Sequence, residues 1–256
     1  MSLWVDGKPA TADDLAQPAV VNYGHFTAMQ IRRGSVRGLA AHLRRIDAAH
    51  QELFGHGLDT GWVRERWAQA AALRRDCYLR ASFYDDPDGT PHVLVALRPP
   101  AEPSATPQRL RCVTGLRAFA HLKHAGTFAQ TRLGHEARQA GYDDALLVTG
   151  EGEIAETTIA NIGFVGDGQV SWPTAPALPG IAWQLLAGAL PAAALPSRNA
   201  PVRLADLPSF QGAFVANSIG VVPVGQIDGH RFADPATVID PVMAVHRQLP
   251  WDRLAA

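Results

Sequence analysis

The 256-residue chain carries a formal net charge of −1, with 47% hydrophobic and 18% charged residues, which is the composition of an ordinary globular protein. The balanced charge predicts no nucleic-acid partner and no acidic membrane surface, and two cysteines exclude a disulfide framework or a four-thiolate zinc site. The sequence shows neither a signal peptide at its start nor a run of ~20 apolar residues, so we predict a cytoplasmic protein without a membrane span.

The first hundred residues alternate between strands and helices. Apolar residues recur at helical spacing from Leu39 onward until Gly55, and Asp59 or Thr60 is a plausible N-cap for the helix that follows. The predicted elements are a hairpin about Asp6-Gly7, a strand over 25–32, helices over 39–54 and from 59 to about 75, and strands over 77–84 and 92–98.

A proline-rich segment separates the two halves of the chain. Four prolines fall within residues 99–107, and such a segment cannot continue a helix or a central strand. We therefore predict an N-terminal α/β domain over 1–100, a linker over 101–108 and a C-terminal domain over 109–256.

The second half is rich in short strands with glycine-rich turns between them. The predicted strands are 109–113, 145–149, 154–156, 161–165, 169–172, 213–217 and 222–227. Helices are predicted from about 127 to 141 and over 180–190. The chain therefore reads as two α+β domains with mainly antiparallel pairing.

Lysine is scarce in this chain, which leaves few candidate residues for any reaction that needs a primary amine. Only Lys8 and Lys123 are present, and Lys8 lies in an Asp-Gly-Lys-Pro sequence typical of an exposed hairpin turn. Lys123 lies in an apolar-leaning run between His121 and His124, a setting that favours the neutral, nucleophilic amine. Lys123 is therefore the candidate for covalent chemistry, although a lone lysine is most often a surface residue.

Two further groups offer a carboxylate and an anion site. Glu156 ends a predicted strand and precedes two threonines and an asparagine, which suits either a buried ion pair or a solvated turn. Leu178-Pro179-Gly180-Ile181 predicts a helix N-terminus, where backbone N–H groups bind anions. Arg45 could add a bidentate guanidinium, and Asn217-Ser218 could add side-chain donors.

In chain order, these segments resemble the class IV aminotransferases, the fold-type IV enzymes that depend on pyridoxal 5'-phosphate (PLP). That family includes branched-chain and D-amino-acid aminotransferases and 4-amino-4-deoxychorismate lyase. Lys123 falls where the family's lysine is expected. The other matching segments are Tyr23-Gly24-His25-Phe26-Thr27, His42-Leu43-Arg44-Arg45-Ile46, Glu156 through Asn161, Leu178-Pro179-Gly180-Ile181 and FVANSIGVVPV at 214–224.

The resemblance implies a fold and a set of roles. The implied fold is α+β (α/β), with a small N-terminal α/β domain and a larger C-terminal PLP-binding domain that has a barrel-like sheet. The cofactor lies between these domains in the family, and the enzymes are usually homodimers. Lys123 would bind PLP covalently and move the Cα proton of a small amino-acid-like substrate, and Glu156 would pair with the pyridine nitrogen. The residues implied for the phosphate are Arg45, Ile181, Ala182, Asn217 and Ser218, and those implied for the substrate are Tyr78, Arg80, Arg98 and His25.

Several departures from the family pattern leave the reaction open, and three of them concern single side chains. Phe128 stands where transaminases usually have a tyrosine, Thr27 replaces a glutamate, and Trp183 replaces a basic residue. We predict amino transfer between a small amino acid and a 2-keto acid, with 4-amino-4-deoxychorismate lyase as the alternative. Two other functional classes stay open. One is a metal-dependent hydrolase that uses some of the 10 histidines, although the sequence contains no H-E-x-x-H helix motif; the other is a non-catalytic binding protein. We expect no metal ligand.

Overall fold

The computed structural model describes residues 1–255, which form two compact units. The first unit contains Met1–Ala101, Leu122–Gly126 and the described residues from Pro250 onward. The second contains Glu102–His121 and Thr127–Leu249. The segment with Lys123 therefore belongs to the first unit, whereas the sequence-based division placed it in the C-terminal domain; that division remains a prediction.

Most of the regular structure follows the sequence-based expectation. The strands are β1 Ser2–Val5, β2 Lys8–Pro9, β3 His25–Ile31, β4 Ser35–Val36, β5 Cys77–Asp85, β6 Pro91–Arg98, β7 Gln108–Thr114, β8 Asp144–Val148, β9 Ile154–Thr157, β10 Asn161–Gly166, β11 Gln169–Pro173, β12 Ser197–Ala200, β13 Gly212–Ala216, β14 Val221–Ile227, β15 His230–Arg231 and β16 Asp252–Arg253. The α-helices are α1 Ala12–Val20, α2 Leu39–Phe54, α3 Thr60–Leu73, α4 Phe128–Gln139, α5 Ile181–Ala189 and α6 Pro235–Gln248.

The first unit is built on an antiparallel sheet in the order β2-β1-β6-β5-β3. Alternate residues of β5 enter the core with α2 and α3, while Tyr78 and Arg80 lie half-buried on the other face. Asp59 caps α3 by accepting from two backbone amides, and Gly55 ends α2 in the left-handed conformation. These caps explain why the sequence locates both helices closely.

The second unit contains a sheet whose central six strands close on themselves. The strand order β12-β11-β10-β13-β14-β7-β8-β9 is completed by a further pairing of β9 with β10. This closure confirms the expected barrel-like sheet. Pairing is mainly antiparallel, but β7 runs parallel to both β8 and β14, and β12 runs parallel to β11.

Two α-helices were missing from the sequence-based prediction. Pro18 lies inside α1 and Pro241 lies inside α6, and an internal proline weakens a helical pattern. Helix α1 nevertheless has a capping box between Thr11 and Asp14, a signal that the sequence does contain. Among residues 1–255, no helix has the length and apolar character needed to cross a membrane.

Candidate active site

Lys123 lies on an irregular segment that pairs with the start of β3 in the first unit. The backbone N–H of Phe26 donates to the Lys123 carbonyl at 2.9 Å, and the N–H of Ala125 donates to the Gly24 carbonyl at 2.8 Å. A Cβ at Gly24 would come within 2.4 Å of the Phe83 carbonyl oxygen, so glycine is required where residue 24 approaches the backbone of β5. The two backbone hydrogen bonds hold the Lys123 segment in place, while the Lys123 side chain is half-buried.

The ring of Phe26 brings together two of the predicted functional cations. The Lys123 Nζ lies 4.8 Å from the ring centroid, and the Arg80 Cζ lies 3.6 Å from it. Burial lowers the pKa of the Arg80 guanidinium from its ordinary value. Tyr78 pairs with Arg98 across β5 and β6 and lies two residues from Arg80, so three predicted substrate residues share one face of the sheet.

His25 lies on the opposite face of the sheet from these residues. Its ring is buried and stacks on Phe83, and its Nε2 lies 3.1 Å from the Nδ1 of His50. Burial, followed by the charges of His50 and Arg45, lowers the pKa of His25 to about 3. The expectation that His25 contacts the substrate stays a prediction, and the structure groups its side chain with His50 instead.

Arg45 is oriented by a hydroxyl that the sequence marked only as a departure from the family. The Arg45 Nη2 donates to the Thr27 Oγ1 at 2.6 Å, and the His42 Nδ1 lies 2.7 Å from the same oxygen. Burial, reinforced by the charges of Arg45 and Lys123, holds the pKa of His42 well below its ordinary value. Neutral His42 therefore fixes Thr27, and Thr27 fixes Arg45, without adding charge. The spacing of His42 and Arg45 along α2 is the signal that could have identified this group.

Glu156 is buried in the second unit beside an arginine that sequence reasoning missed. The Arg117 Nε lies 3.2 Å from the Glu156 Oε1, and the two side chains are 7% and 2% exposed. A buried ion pair is therefore present, and the alternative of a solvated turn is wrong. Arg117 follows β7 and Glu156 belongs to β9, and both strands pair with β8, so the sheet brings together two side chains that are far apart in sequence.

The segments 156–161 and 178–181 are joined by a side-chain hydrogen bond. The Asn161 Nδ2 donates to the Leu178 carbonyl at 2.8 Å, and Asn161 pairs with Glu156 across β9 and β10. A Cβ at Gly180 would lie 1.9 Å from the Asn161 Oδ1, so only glycine fits against this side chain. Residues 156–161 therefore determine the position of residues 178–181.

Helix α5 begins directly after this contact. Gly180 is its N-cap and supplies no side-chain cap, so the amides of Ile181 and Ala182 belong to an uncapped first turn that also lacks acidic residues. Elsewhere in this unit, the Asn217 Oδ1 accepts from the Ile219 N–H at 2.8 Å. Ser218, like Asn217, is half-buried. The predicted phosphate residues of this unit thus lie in two ordered turns.

Two of the departures from the family pattern have clear positions. Phe128 begins α4 with an exposed ring, and it has no hydroxyl to donate. Trp183 lies in α5 and packs against Trp172 at a centroid distance of 6.0 Å. Trp183 therefore contributes to the packing of α5.

Comparison with known proteins identifies the family pattern over most of the chain. The family model for amino-transferase class IV matches residues 24–227. A probable branched-chain-amino-acid aminotransferase from Rickettsia felis is 38% identical over 110 residues, which cover 39% of this chain. That match spans 38% of the relative's own length, well under two thirds.

Solved structures share the fold at low identity. The branched-chain amino acid aminotransferase from Escherichia coli matches with a TM-score of 0.85 at 16% identity, covering 100% of this chain and 99% of that one. The 4-amino-4-deoxychorismate lyase from Pseudomonas aeruginosa gives 0.83 at 22%, covering 96% and 99%. A hypothetical aminotransferase from Mycobacterium tuberculosis in its PLP-bound form gives 0.81 at 20%, covering 96% and 99%. At these identities the matches confirm the fold.

Proposed function

This chain belongs to the class IV aminotransferase family, whose enzymes use PLP, and we propose that it transfers an amino group between a small amino acid and a 2-keto acid. The observation that carries the proposal is the position of Lys123. It is half-buried against Phe26, whereas the other lysine, Lys8, is exposed in the N-terminal hairpin.

The donor groups of the chain suit the three parts of PLP. An aldehyde requires an amine, which Lys123 supplies. A phosphate requires a cation and N–H donors, which Arg45, the Ile181 and Ala182 amides and Asn217-Ser218 can supply. A pyridine nitrogen that stays protonated requires a carboxylate, which Glu156 supplies.

The residues of the first unit bind and move protons. PLP, when bound, would supply an aldehyde for the substrate amine and an electron sink that lets a proton leave Cα. We propose that the Lys123 Nζ accepts that proton and later donates one. Arg80, with Tyr78 and Arg98 on the same face of the sheet, would bind the substrate carboxylate, because a guanidinium forms paired hydrogen bonds with a carboxylate.

The residues of the second unit hold charge in place. Glu156 would keep a proton at the pyridine nitrogen, and Arg117 balances the negative charge of that carboxylate at 3.2 Å. Both side chains are nearly excluded from water, so their electrostatic effect is stronger than that of exposed groups. The Asn161 contact with the 178–181 turn would set the position of the phosphate donors.

The cofactor proposal is tested by Lys123→Ala with Lys8→Ala as the matched control. Purified protein supplied with PLP should show a visible absorption band that persists in Lys8→Ala and disappears in Lys123→Ala. Borohydride reduction followed by peptide mass spectrometry should place the PLP adduct on residue 123. An adduct on Lys8, or a band that survives Lys123→Ala, would contradict the proposal.

The lyase remains the second candidate function. The lyase from Pseudomonas aeruginosa matches this chain at 22% identity, as high as the aminotransferases do, and Phe128 lacks the hydroxyl that transaminases usually carry. Incubation with deoxychorismate distinguishes the two. Release of pyruvate and 4-aminobenzoate without a keto-acid acceptor identifies the lyase, whereas exchange of amino groups between an amino acid and a 2-keto acid identifies the aminotransferase.

We also keep a homodimer and a cytoplasmic location within this proposal. The support for the dimer is the family resemblance, and light scattering of purified protein tests it. The support for the location is that both cysteines, Cys77 and Cys112, are free thiols, as is usual in a reducing compartment. Cell fractionation tests the location.

A further inference from the structure

Two histidines and a carboxylate lie close together in the first unit, and none of the three has a role in the proposed reaction. His50 lies in α2, His56 lies in the loop that follows, and Asp85 ends β5. The Nε2 atoms of the two histidines lie 3.0 and 2.8 Å from the two carboxylate oxygens of Asp85. One ligand atom from each residue can be chosen so that all lie within 4.8 Å of one another, the only such group of three among residues 1–255.

The buried members of this group are close together but poorly aligned for a hydrogen bond. The His50 Nε2 and the Asp85 Oδ1 form a close polar contact of 3.0 Å, yet the geometry at both buried atoms falls outside that of a hydrogen bond. The side chains are 0% and 8% exposed. A poorly aligned contact between buried polar atoms is costly, and a shared ion at which both lone pairs are directed would satisfy the two atoms better.

The remaining ring nitrogens are held in a way that suits metal ligands. The His50 Nδ1 lies 3.1 Å from the His25 Nε2, and the His56 Nδ1 lies 3.4 Å from the Gly57 carbonyl. A histidine that binds a metal through one nitrogen usually donates its other N–H to a neighbouring acceptor. Both histidines therefore present Nε2 to the same carboxylate, while each Nδ1 lies against a different neighbouring group.

Another histidine of the same unit shows that closeness to carboxylates is not sufficient. His92 lies 2.6 Å from Asp6 through Nδ1 and 3.4 Å from Asp86 through Nε2. Its two carboxylates contact opposite nitrogens of the ring, so the three groups cannot meet at one ion. The convergence on Asp85 is a different geometry.

We propose that His50, His56 and Asp85 bind one divalent transition-metal ion of the zinc class, with water as the fourth ligand. Imidazole and carboxylate ligands suit this class, and two ligands of a tetrahedral zinc ion lie roughly 3.4 Å apart. The ligand atoms lie within 4.8 Å of one another and would have to move closer around an ion; the His56 side chain, which is 39% exposed, has space to do so. The ion would tie α2 and its following loop to the end of β5.

The test is a zinc titration of the full chain loaded with PLP and freed of metal with a chelator. Calorimetry should give one zinc ion per chain, and metal analysis after gel filtration should give the same ratio. His56→Gln should weaken zinc binding at least about tenfold, because it removes one of three protein ligands. His92→Gln, the matched control, should bind zinc like the unaltered chain.

The readouts separate this site from the PLP proposal. Cobalt should produce a tetrahedral absorption spectrum in the unaltered chain and in His92→Gln but not in His56→Gln, and the same stoichiometry should hold without PLP. A chain that binds no zinc overturns the proposal. So does equal zinc affinity in all three proteins, because the ion would then lie on other histidines or on PLP itself. Failure of the Lys123→Ala test leaves this proposal standing.

Discussion

The two units hold their charged groups in different ways. In the second unit, Glu156 and Arg117 have opposite charges and form a buried pair 3.2 Å apart. In the first unit, Arg45, Arg80 and Lys123 have the same charge and contact neutral groups, the Thr27 hydroxyl and the Phe26 ring. The pair compensates its own charge, whereas the like-charged set raises the local positive potential and favours an anionic ligand.

This difference suits the two tasks that we propose for Glu156 and Lys123. Glu156 lies on a strand that pairs on both sides, with β8 and with β10, so its carboxylate is held rigidly. Lys123 lies on an irregular segment that is fixed by backbone hydrogen bonds, and its long side chain extends beyond them. A group that holds a proton at one atom must stay still, while a group that carries a proton must move. The two environments fit these needs.

The largest expected effect comes from breaking the ion pair. Glu156→Gln should lower the free energy of unfolding by about 3–5 kcal/mol, because Arg117 would remain buried without its carboxylate. Urea unfolding of the PLP-free protein measures this. The double variant Glu156→Leu with Arg117→Met should lose less than Glu156→Gln alone, since no charge is left buried. A loss below about 1 kcal/mol in Glu156→Gln would show that the pair is solvated after all.

A smaller effect on stability is expected from substituting Gly180, which packs against Asn161 in the second unit. Gly180→Ala should destabilise the protein by about 1–3 kcal/mol, because the new Cβ would lie 1.9 Å from the Asn161 Oδ1. Gly188→Ala is the control in the same helix. Nothing lies within 4 Å of its Cβ position, so that change should stabilise the helix by roughly 0.5–1 kcal/mol. Thermal unfolding of both variants checks the sign, and equal shifts would contradict the packing argument.

Local signals were sufficient to predict most of the fold and to select two of the candidate site residues. The Asp59 cap, the Gly55 helix end and the alternation in β5 are all properties of neighbouring residues, so the sequence predicts those elements closely. Lys123 was selected as a candidate because lysine is scarce, and Glu156 because it ends a predicted strand. Closure of the six-stranded sheet came from the family resemblance, since no local pattern specifies which strands meet.

The missed residues depend on contacts between distant segments. Arg117 reaches Glu156 from a different strand connection, 39 positions away (156 − 117). Thr27 was noted only as a departure from the family pattern, because its structural role depends on a hydrogen bond that it accepts from Arg45 of α2. The His50, His56 and Asp85 group likewise joins a helix, a loop and a strand end. The spacing of residues along the sequence does not predict such long-range contacts.

The neutral contacts of the first unit are tested by removing one hydroxyl. Thr27→Val keeps the side-chain shape but removes the oxygen that Arg45 and His42 share, at 2.6 and 2.7 Å. We expect a loss of about 1–2 kcal/mol in stability, because His42 keeps a buried nitrogen without a partner. PLP affinity should fall by about tenfold as Arg45 loses its orientation. Thr237→Val, on an exposed position of α6, should change neither quantity, and an unchanged PLP affinity in Thr27→Val would remove Thr27 from the site.

The last prediction concerns the proton balance of the first unit. Burial holds the pKa of folded His42 well below the ordinary value of 6.5. As the pH falls below 6.5, His42 is therefore protonated in the unfolded chain while it stays neutral in the folded chain. Stability from this histidine is therefore fully present above pH 6.5 and is lost as the pH falls below it, by up to about 1.4 kcal/mol per pH unit. His42→Asn keeps a polar atom for Thr27 but cannot titrate. Urea unfolding between pH 5 and 7 should give a shallower acid slope in the variant. Parallel curves would mean that His42 is protonated in the fold, which would add a positive charge beside Arg45 and Lys123.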